Sequence, residues 1–256
     1  MKRKFTFLGT GTSQGIPVIG CQCAVCQSPN PKNKRLRVSG LISDGVHRIV
    51  IDAGPDFRQQ MLAQKVNRLD AILLTHEHND HIIGMDDIRP FYFMQKTDMP
   101  VYGLQRVLTE VKKRFSYFFA EKPYPGVPRI EMYPITKDEA FFLDNLCIQP
   151  IEVMHGKMPI LGYRFDDLVY ITDAKYISED ETKKMAGCKT LIINALHHHV
   201  HHSHFNLEEA LAFVEKVKPD MAWLTHMSHL MGDHEEISKQ LPQNVRLAYD
   251  GLSIEF

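Results

Sequence analysis

Ala71-Ile72-Leu73-Leu74-Thr75-His76-Glu77-His78-Asn79-Asp80-His81 is the stretch on which the fold turns. Ala71–Thr75 is a short apolar run, the pattern of a strand buried on both faces. It leads directly into four candidate metal ligands, His76, His78, Asp80 and His81, within six residues. Side chains at an extended strand end alternate with period two, so His76 and His78 point the same way. If the chain then turns into a helix, Asp80 and His81 face a point slightly further on. One loop can then serve two adjacent ions. Imidazole and carboxylate suit Zn, Mn or Fe. Without an ion, three histidines and an aspartate so close together would repel one another or lose hydration uncompensated.

Other strands bring further ligand types to the same kind of position. Phe5–Leu8, Arg48–Asp52, Leu146–Ile151, Leu168–Thr172, Thr190–Asn194, Met221–Leu224 and Val245–Tyr249 read as short strands rich in Ile, Leu, Val and aromatics. His155, Asp173 and His226 each come just past the C-terminal end of one of them, where open α/β sheets place their sites. Helices are expected near Asp56–Gln64, Leu104–Arg114, Glu179–Met185 and His234–Gln240. The clearest begins at Asn206, where Asn206 and Glu209 form a capping box. Strands covered by helices make this an α/β chain. Arg114–Pro128, with five aromatics and three prolines, reads as a helix end and packed loop rather than a lid over substrate.

Composition narrows the class. The chain has 256 residues with no repeat or linker, so 1–256 is read as one domain. Thirty basic and 31 acidic side chains give a net charge of -1, which is no footprint for nucleic acid. No apolar run reaches membrane-spanning length. Phe5–Leu8, behind the basic Met1-Lys2-Arg3-Lys4, is too short for a signal peptide, so a cytoplasmic location is expected. Five cysteines, an odd number with three crowded together, do not suit a disulfide framework. Cys21, Cys23 and Cys26 form C-x-C-x2-C, which can wrap a tetrahedral zinc given one more ligand. Cys147 and Cys188 read as buried apolar positions without a role.

Taken together, FLGTGTSQGIP at residues 7–17, IDAG at 51–54, THEHNDH at 75–81 and the later His155, Asp173 and His226 resemble the metallo-β-lactamase superfamily over nearly the whole chain. The resemblance implies a four-layer αβ/βα sandwich with a dinuclear centre of Zn or Mn at one edge. His76, His78 and His155 would hold one ion, Asp80, His81 and His226 the other, and Asp173 would bridge them. Asp52 would orient a ligand histidine from behind. Two ions about 3.5–4 Å apart activate a bridging hydroxide for attack on phosphorus or a carbonyl carbon.

GTGTSQGIPVIGCQCAVC and LTHMSH are similar to the phosphoribosyl cyclic phosphodiesterase (PhnP-like) subfamily. That likeness adds His229 to Cys21, Cys23 and Cys26 as a structural zinc site. It also makes His204, with Asp80, a catalytic residue, His204 protonating the leaving group or contacting the phosphate. His197, His198, His199, His201 and His202 beside it read as a solvated loop. The expected activity is hydrolysis of a small cyclic or nucleotide-like phosphodiester. The alternatives are a tRNA 3′-processing endonuclease and a thioester or lactone hydrolase. The endonuclease stands lower because only 17 residues separate His155 from Asp173, too few for the long arm of the bacterial enzymes. The expected partner is a small-molecule substrate, with no membrane or nucleic acid, and the resemblance implies a homodimer. Residues 86–134 form a longer stretch than in the cyclic phosphodiesterase and are expected to lie over the site. Arg35, Arg37 and Arg89 are candidate phosphate contacts.

Overall fold

The computed structural model describes residues 3–122 and 124–256, so Met1, Lys2 and the Pro123 of the aromatic segment lie outside it. Fourteen strands occur among the described residues: β1 (Lys4–Gly9), β2 (Ser39–Ser43), β3 (Arg48–Ile51), β4 (Ala71–Leu73), β5 (Met99–Gly103), β6 (Ile130–Pro134), β7 (Phe141–Leu143), β8 (Leu146–His155), β9 (Met158–Phe165), β10 (Leu168–Tyr170), β11 (Thr190–Asn194), β12 (Met221–Thr225), β13 (Val245–Leu247) and β14 (Ser253–Glu255). They form two sheets of seven, ordered β14-β1-β2-β3-β4-β5-β6 and β13-β12-β11-β10-β9-β8-β7. In the first, β3 to β6 run parallel and the remaining pairs antiparallel. In the second, β10 to β13 run parallel and β7 to β10 antiparallel.

Alternation along the strands builds the four layers. Ile49 and Ile51 of β3 and Ala71 and Leu73 of β4 face Tyr163, Leu168, Tyr170 and Ile192 across the gap between the sheets. The intervening Val50 and Ile72 face outward under helices Phe57–Ala63 and Gln105–Arg114. On the second sheet, Leu191 and Ile193 face outward under helix Leu207–Val217. Both faces of these strands are therefore dry, which is why they read as unbroken apolar runs. The helix–sheet–sheet–helix arrangement is the sandwich that the motifs implied.

The eight expected strands are all present, some with shifted ends. β4 stops at Leu73, two residues before the predicted end, and β8 continues to His155. Six strands were not anticipated. β2 carries Gly40, where a Cβ would lie 2.3 Å from the Phe5 ring. β9 carries Pro159 and Gly162, where a Cβ would lie 2.3 Å from Ile171 Cδ1. Glycine and proline erase the local strand signal at points of tight packing. β5 also carries a proline, β6 and β7 are partly exposed sheet-edge strands, and β14 has only three residues. Of the aromatic segment, Phe115 and Phe118 are buried in the outer core, as the packed-loop reading expects, while Tyr124 is exposed. The Arg89 guanidinium lies over the Tyr117 and Tyr124 rings.

Candidate metal centre

The candidate ligands lie at the same rim of both sheets. Past β4 the chain bends at Thr75, and Asn79–Ile82 forms a short helix carrying Asp80 and His81. His155 ends β8, Asp173 follows β10 and His226 follows β12. Asp52, Asp173 and His226 all have left-handed backbone, with φ of 63°, 57° and 54°. Such a conformation is rare for non-glycine residues and here turns each side chain at a strand end.

Ligand-type atoms converge in overlapping groups: His76, His78 and His155; Asp80, His81 and His226; His76, His81 and Asp173; and His155, Asp173 and His204. In each, the candidate atoms lie within 4.8 Å of one another. Asp173 Oδ2 is central, 3.2 Å from His226 Nε2, 3.6 Å from His81 Nε2 and 4.0 Å from His76 Nε2. Two of these groups, His76 with His78 and His155, and Asp80 with His81 and His226, adjoin the Asp173 carboxylate. His204 stands inside the same ring, its Nε2 3.2 Å from Asp173 Oδ2 and its imidazole stacked on His226.

Outer hydrogen bonds orient the rings so that their other nitrogens face inward. His81 Nδ1 hydrogen-bonds Asp52 Oδ2 at 2.7 Å, and Asp52 also accepts from the Thr75 amide and hydroxyl, each at 2.8 Å. His155 Nδ1 faces two carbonyls, Asp173 O at 2.9 Å and Ser203 O at 3.0 Å, so it must carry the proton. His81 Nε2 and His226 Nε2 are buried without a hydrogen-bond partner. Orphaned imidazole nitrogens aimed at a carboxylate fit divalent cations such as Zn or Mn.

Electrostatics agree with a site built for positive charge. Burial would raise the Asp80 carboxyl, but adjacent His81 outweighs it and holds it at about 2. Burial likewise opposes ionisation of Asp173, yet His226 and His81 keep it well below the carboxylate range. His81 is held well above its ordinary value, against burial, by Asp80, Asp173 and Asp52. Burial pushes His76 far down, and pushes His204 down to about 4 against the pull of Asp173.

A second cluster gathers at His229, three residues after His226. His229 Nδ1 is 3.4 Å from Cys21 Sγ, 3.3 Å from Cys23 Sγ and 3.6 Å from Cys26 Sγ. A tetrahedral zinc sets sulfur and nitrogen ligands about 3.5 Å apart, so the spacing fits. The Cys26 amide and His229 lower Cys23 to about 6, while burial raises Cys26 to about 11.

The β-lactamase superfamily domain matches residues 47–227. A solved diphosphatase from the PhnP family is 37% identical, with a TM-score of 0.93 over 99% of this chain and 98% of that one. The chain belongs to the β-lactamase superfamily, in its PhnP family. A protein of Porphyromonas gingivalis (strain ATCC BAA-308 / W83) named octanoyltransferase is 40% identical over 96% of this chain, which spans only half of that relative's length. The short form of human tRNase Z superposes with a TM-score of 0.72 at 18% identity over 98% of each chain, a likeness of fold alone. Metal-dependent hydrolase is the enzyme class that the PhnP family and the donor set together support.

Some sequence readings change. His197 is buried and its Nδ1 accepts from the His199 amide at 3.1 Å. His201 is half-buried, 3.1 Å from His204. The solvated-loop reading therefore describes His198, His199 and His202 only. Arg35 is buried, donating to Thr10 Oγ1 at 2.7 Å and Ala248 O at 2.6 Å, which removes it as a phosphate contact. Arg37 and Arg89 pair with Asp56 and Asp86. The sequence reading missed Thr75, which bonds Asp52 and lies 3.0 Å from His76 Nδ1, and Arg106, which pairs with Glu77 and the Pro159 carbonyl. Thr75 sat unread within the decisive motif; nothing in the local sequence of Arg106 marks it.

Proposed function

We propose that this chain is a dinuclear metal-dependent hydrolase of small cyclic or nucleotide-like phosphodiesters. The observation that carries the proposal is the gathering of two ligand triads around the Asp173 carboxylate, with His204 at their edge. His76, His78 and His155 would hold one ion, Asp80, His81 and His226 the other, with Asp173 between them. When bound, the ions supply Lewis acidity and an activated water. The chain's own residues do the rest. Asp52 fixes the His81 tautomer, two backbone carbonyls fix that of His155, and the buried carboxylates supply the negative charge that retains cations. His204 faces the centre from the second sheet, placed to hydrogen-bond a phosphoryl oxygen or leaving group. Cys21, Cys23, Cys26 and His229 would form a closed zinc site tying the loop after β1 to the segment following His226.

The test is turnover of bis(p-nitrophenyl) phosphate and 2′,3′-cyclic nucleotides by protein reloaded with Zn2+ or Mn2+. Hydrolysis that disappears with chelator and returns with metal is expected. Inactivity toward every phosphodiester with both ions would overturn the reading.

A second reading, hydrolysis of an acyl thioester, is favoured by the name of the Porphyromonas relative, which transfers octanoyl groups. The same donor set can polarise a thioester carbonyl. Octanoyl thioester offered beside the phosphodiesters separates the two. Against the endonuclease, β8 and β9 are joined by a tight hairpin at Gly156–Lys157, and a short turn joins β9 to β10.

A further inference from the structure

Asp173 owes its position to more than its own strand. β10 ends at Tyr170, and the Ile171 amide makes the final sheet bond, to Ile192 O at 2.8 Å. The chain then turns away through the left-handed Asp173. Ala174 follows, fully buried and outside any strand, with both backbone polar groups in need of partners.

Asn194, the fully buried last residue of β11, satisfies both. Its Oδ1 accepts from the Ala174 amide at 2.8 Å, and its Nδ2 donates to the Ala174 carbonyl at 3.0 Å. A primary amide presents a donor and an acceptor side by side, as a neighbouring strand would. Aspartate lacks the donor, and glutamine is one methylene too long.

The Ala174 amide and the Asp173 carbonyl belong to one rigid peptide plane. Asn194 holds the amide edge of that plane. His155 Nδ1 holds the carbonyl edge at 2.9 Å. Phe205, next to His204, donates to the Ala174 carbonyl at 2.7 Å. Rotation of this plane therefore moves the central carboxylate and His155 together, while the Ala174 carbonyl, in the next peptide, ties the His204 segment to the same residue.

We propose that Asn194 is a positioning residue that fixes the Asp173–Ala174 peptide and so sets the spacing between Asp173 and His155. The proposal rests on the dinuclear reading. The test reloads stripped protein with Co2+ and follows two signals: the near-ultraviolet thiolate band of the cysteine site, and the visible d–d bands of the histidine-rich centre, taken as the visible absorption that still grows once the thiolate band has saturated. Asn194→Ala is expected to bind the pair of ions 10- to 100-fold more weakly, with altered d–d bands, a typical consequence of losing an outer partner. Its thiolate band should fill as in wild type. Leu191→Ala, a cavity in the outer face of the same strand, should leave both signals unmoved. If Asn194→Ala unfolds, as loss of the thiolate band would reveal, the nearly isosteric Asn194→Asp decides by the same readout. Wild-type affinity and d–d bands in the folded variant would overturn the role of Asn194 alone. A wild-type chain that takes up no pair of ions beyond the cysteine site would overturn the dinuclear reading beneath it.

Discussion

Replacing Asp52 separates metal orientation from fold stability. Its carboxylate is completely buried and accepts from the Thr75 amide, the Thr75 hydroxyl and His81 Nδ1. In Asp52→Asn, the side-chain oxygen can still accept from the Thr75 amide, and the Thr75 hydroxyl can rotate to accept from the new NH2. His81 cannot adapt so cheaply. Facing an NH2 group, its Nδ1 becomes an acceptor, the proton moves to Nε2, and the lone pair directed at Asp173 is lost. Losing an outer-shell partner of this kind typically weakens metal binding 10- to 100-fold, about 1.4–2.8 kcal/mol. Folding should suffer little, because the buried donors keep partners. Asp52→Ala should lose the same affinity and also about 3–5 kcal/mol of stability, since it strands His81 and Thr75 without their acceptor. The assay pairs competitive metal titration with urea denaturation of the metal-free chains. An Asp52→Asn variant that retains wild-type affinity while Asp52→Ala loses it would refute the tautomer argument and leave Asp52 a purely structural residue.

Gly54 offers a sharper steric test: an added Cβ would lie 2.0 Å from the Asp80 carbonyl oxygen, so Gly54→Ala should displace the ligand loop and lower kcat/KM at least tenfold while costing about 1–3 kcal/mol of stability. Removing a thiolate by Cys26→Ala should cut bound zinc by one ion per chain in elemental analysis and leave the histidine-rich centre loaded; unchanged stoichiometry would exclude the cysteine site. Because Asp80, Asp173 and Asp52 raise His81 well above its ordinary value against burial, and a ligand imidazole must give up its inward proton, metal uptake near neutral pH should release protons, seen as a calorimetric enthalpy that varies with the ionisation heat of the buffer. Asp44, for which burial is outweighed by hydrogen bonds from His47 and the Val46 amide, is lowered from 3.8 to about 2. Its folded value lies below the unfolded one, so it contributes stability above pH 3.8 that is lost as pH falls toward 2, and metal-free Asp44→Asn should be about 2 kcal/mol less stable at neutral pH, with the gap closing across that acid window.

The architecture was legible where strands are dry on both faces. β3, β4, β10, β11 and β12 announce themselves as apolar runs, and ligand-type side chains at or past their C-terminal ends mark the site's rim. β2 and β9 were hidden by the glycines and proline that permit close packing. The separation between ligand and support was also hard to read. His201 and His202 are adjacent and chemically identical, yet one packs on His204 and the other faces water. Asn194 has the same blind spot, because its role depends on where β10 leaves the sheet.

The donor set is divided between the two sheets. The first carries His76, His78, Asp80 and His81 past β4; the second carries His155, Asp173 and His226. Neither half can close a cage by itself, so cations seated there would rivet the sandwich along one lip, while the Phe5, Tyr163 and Tyr170 layer glues its interior. Chelation should loosen that lip first, with amide exchange rising around β4, β8 and β10 before it rises at the distant edges. At cation levels a hundredfold above the dissociation constant, the rivet would add about 2.7 kcal/mol to the closed form, making the stiffness of this protein a readout of its metal supply.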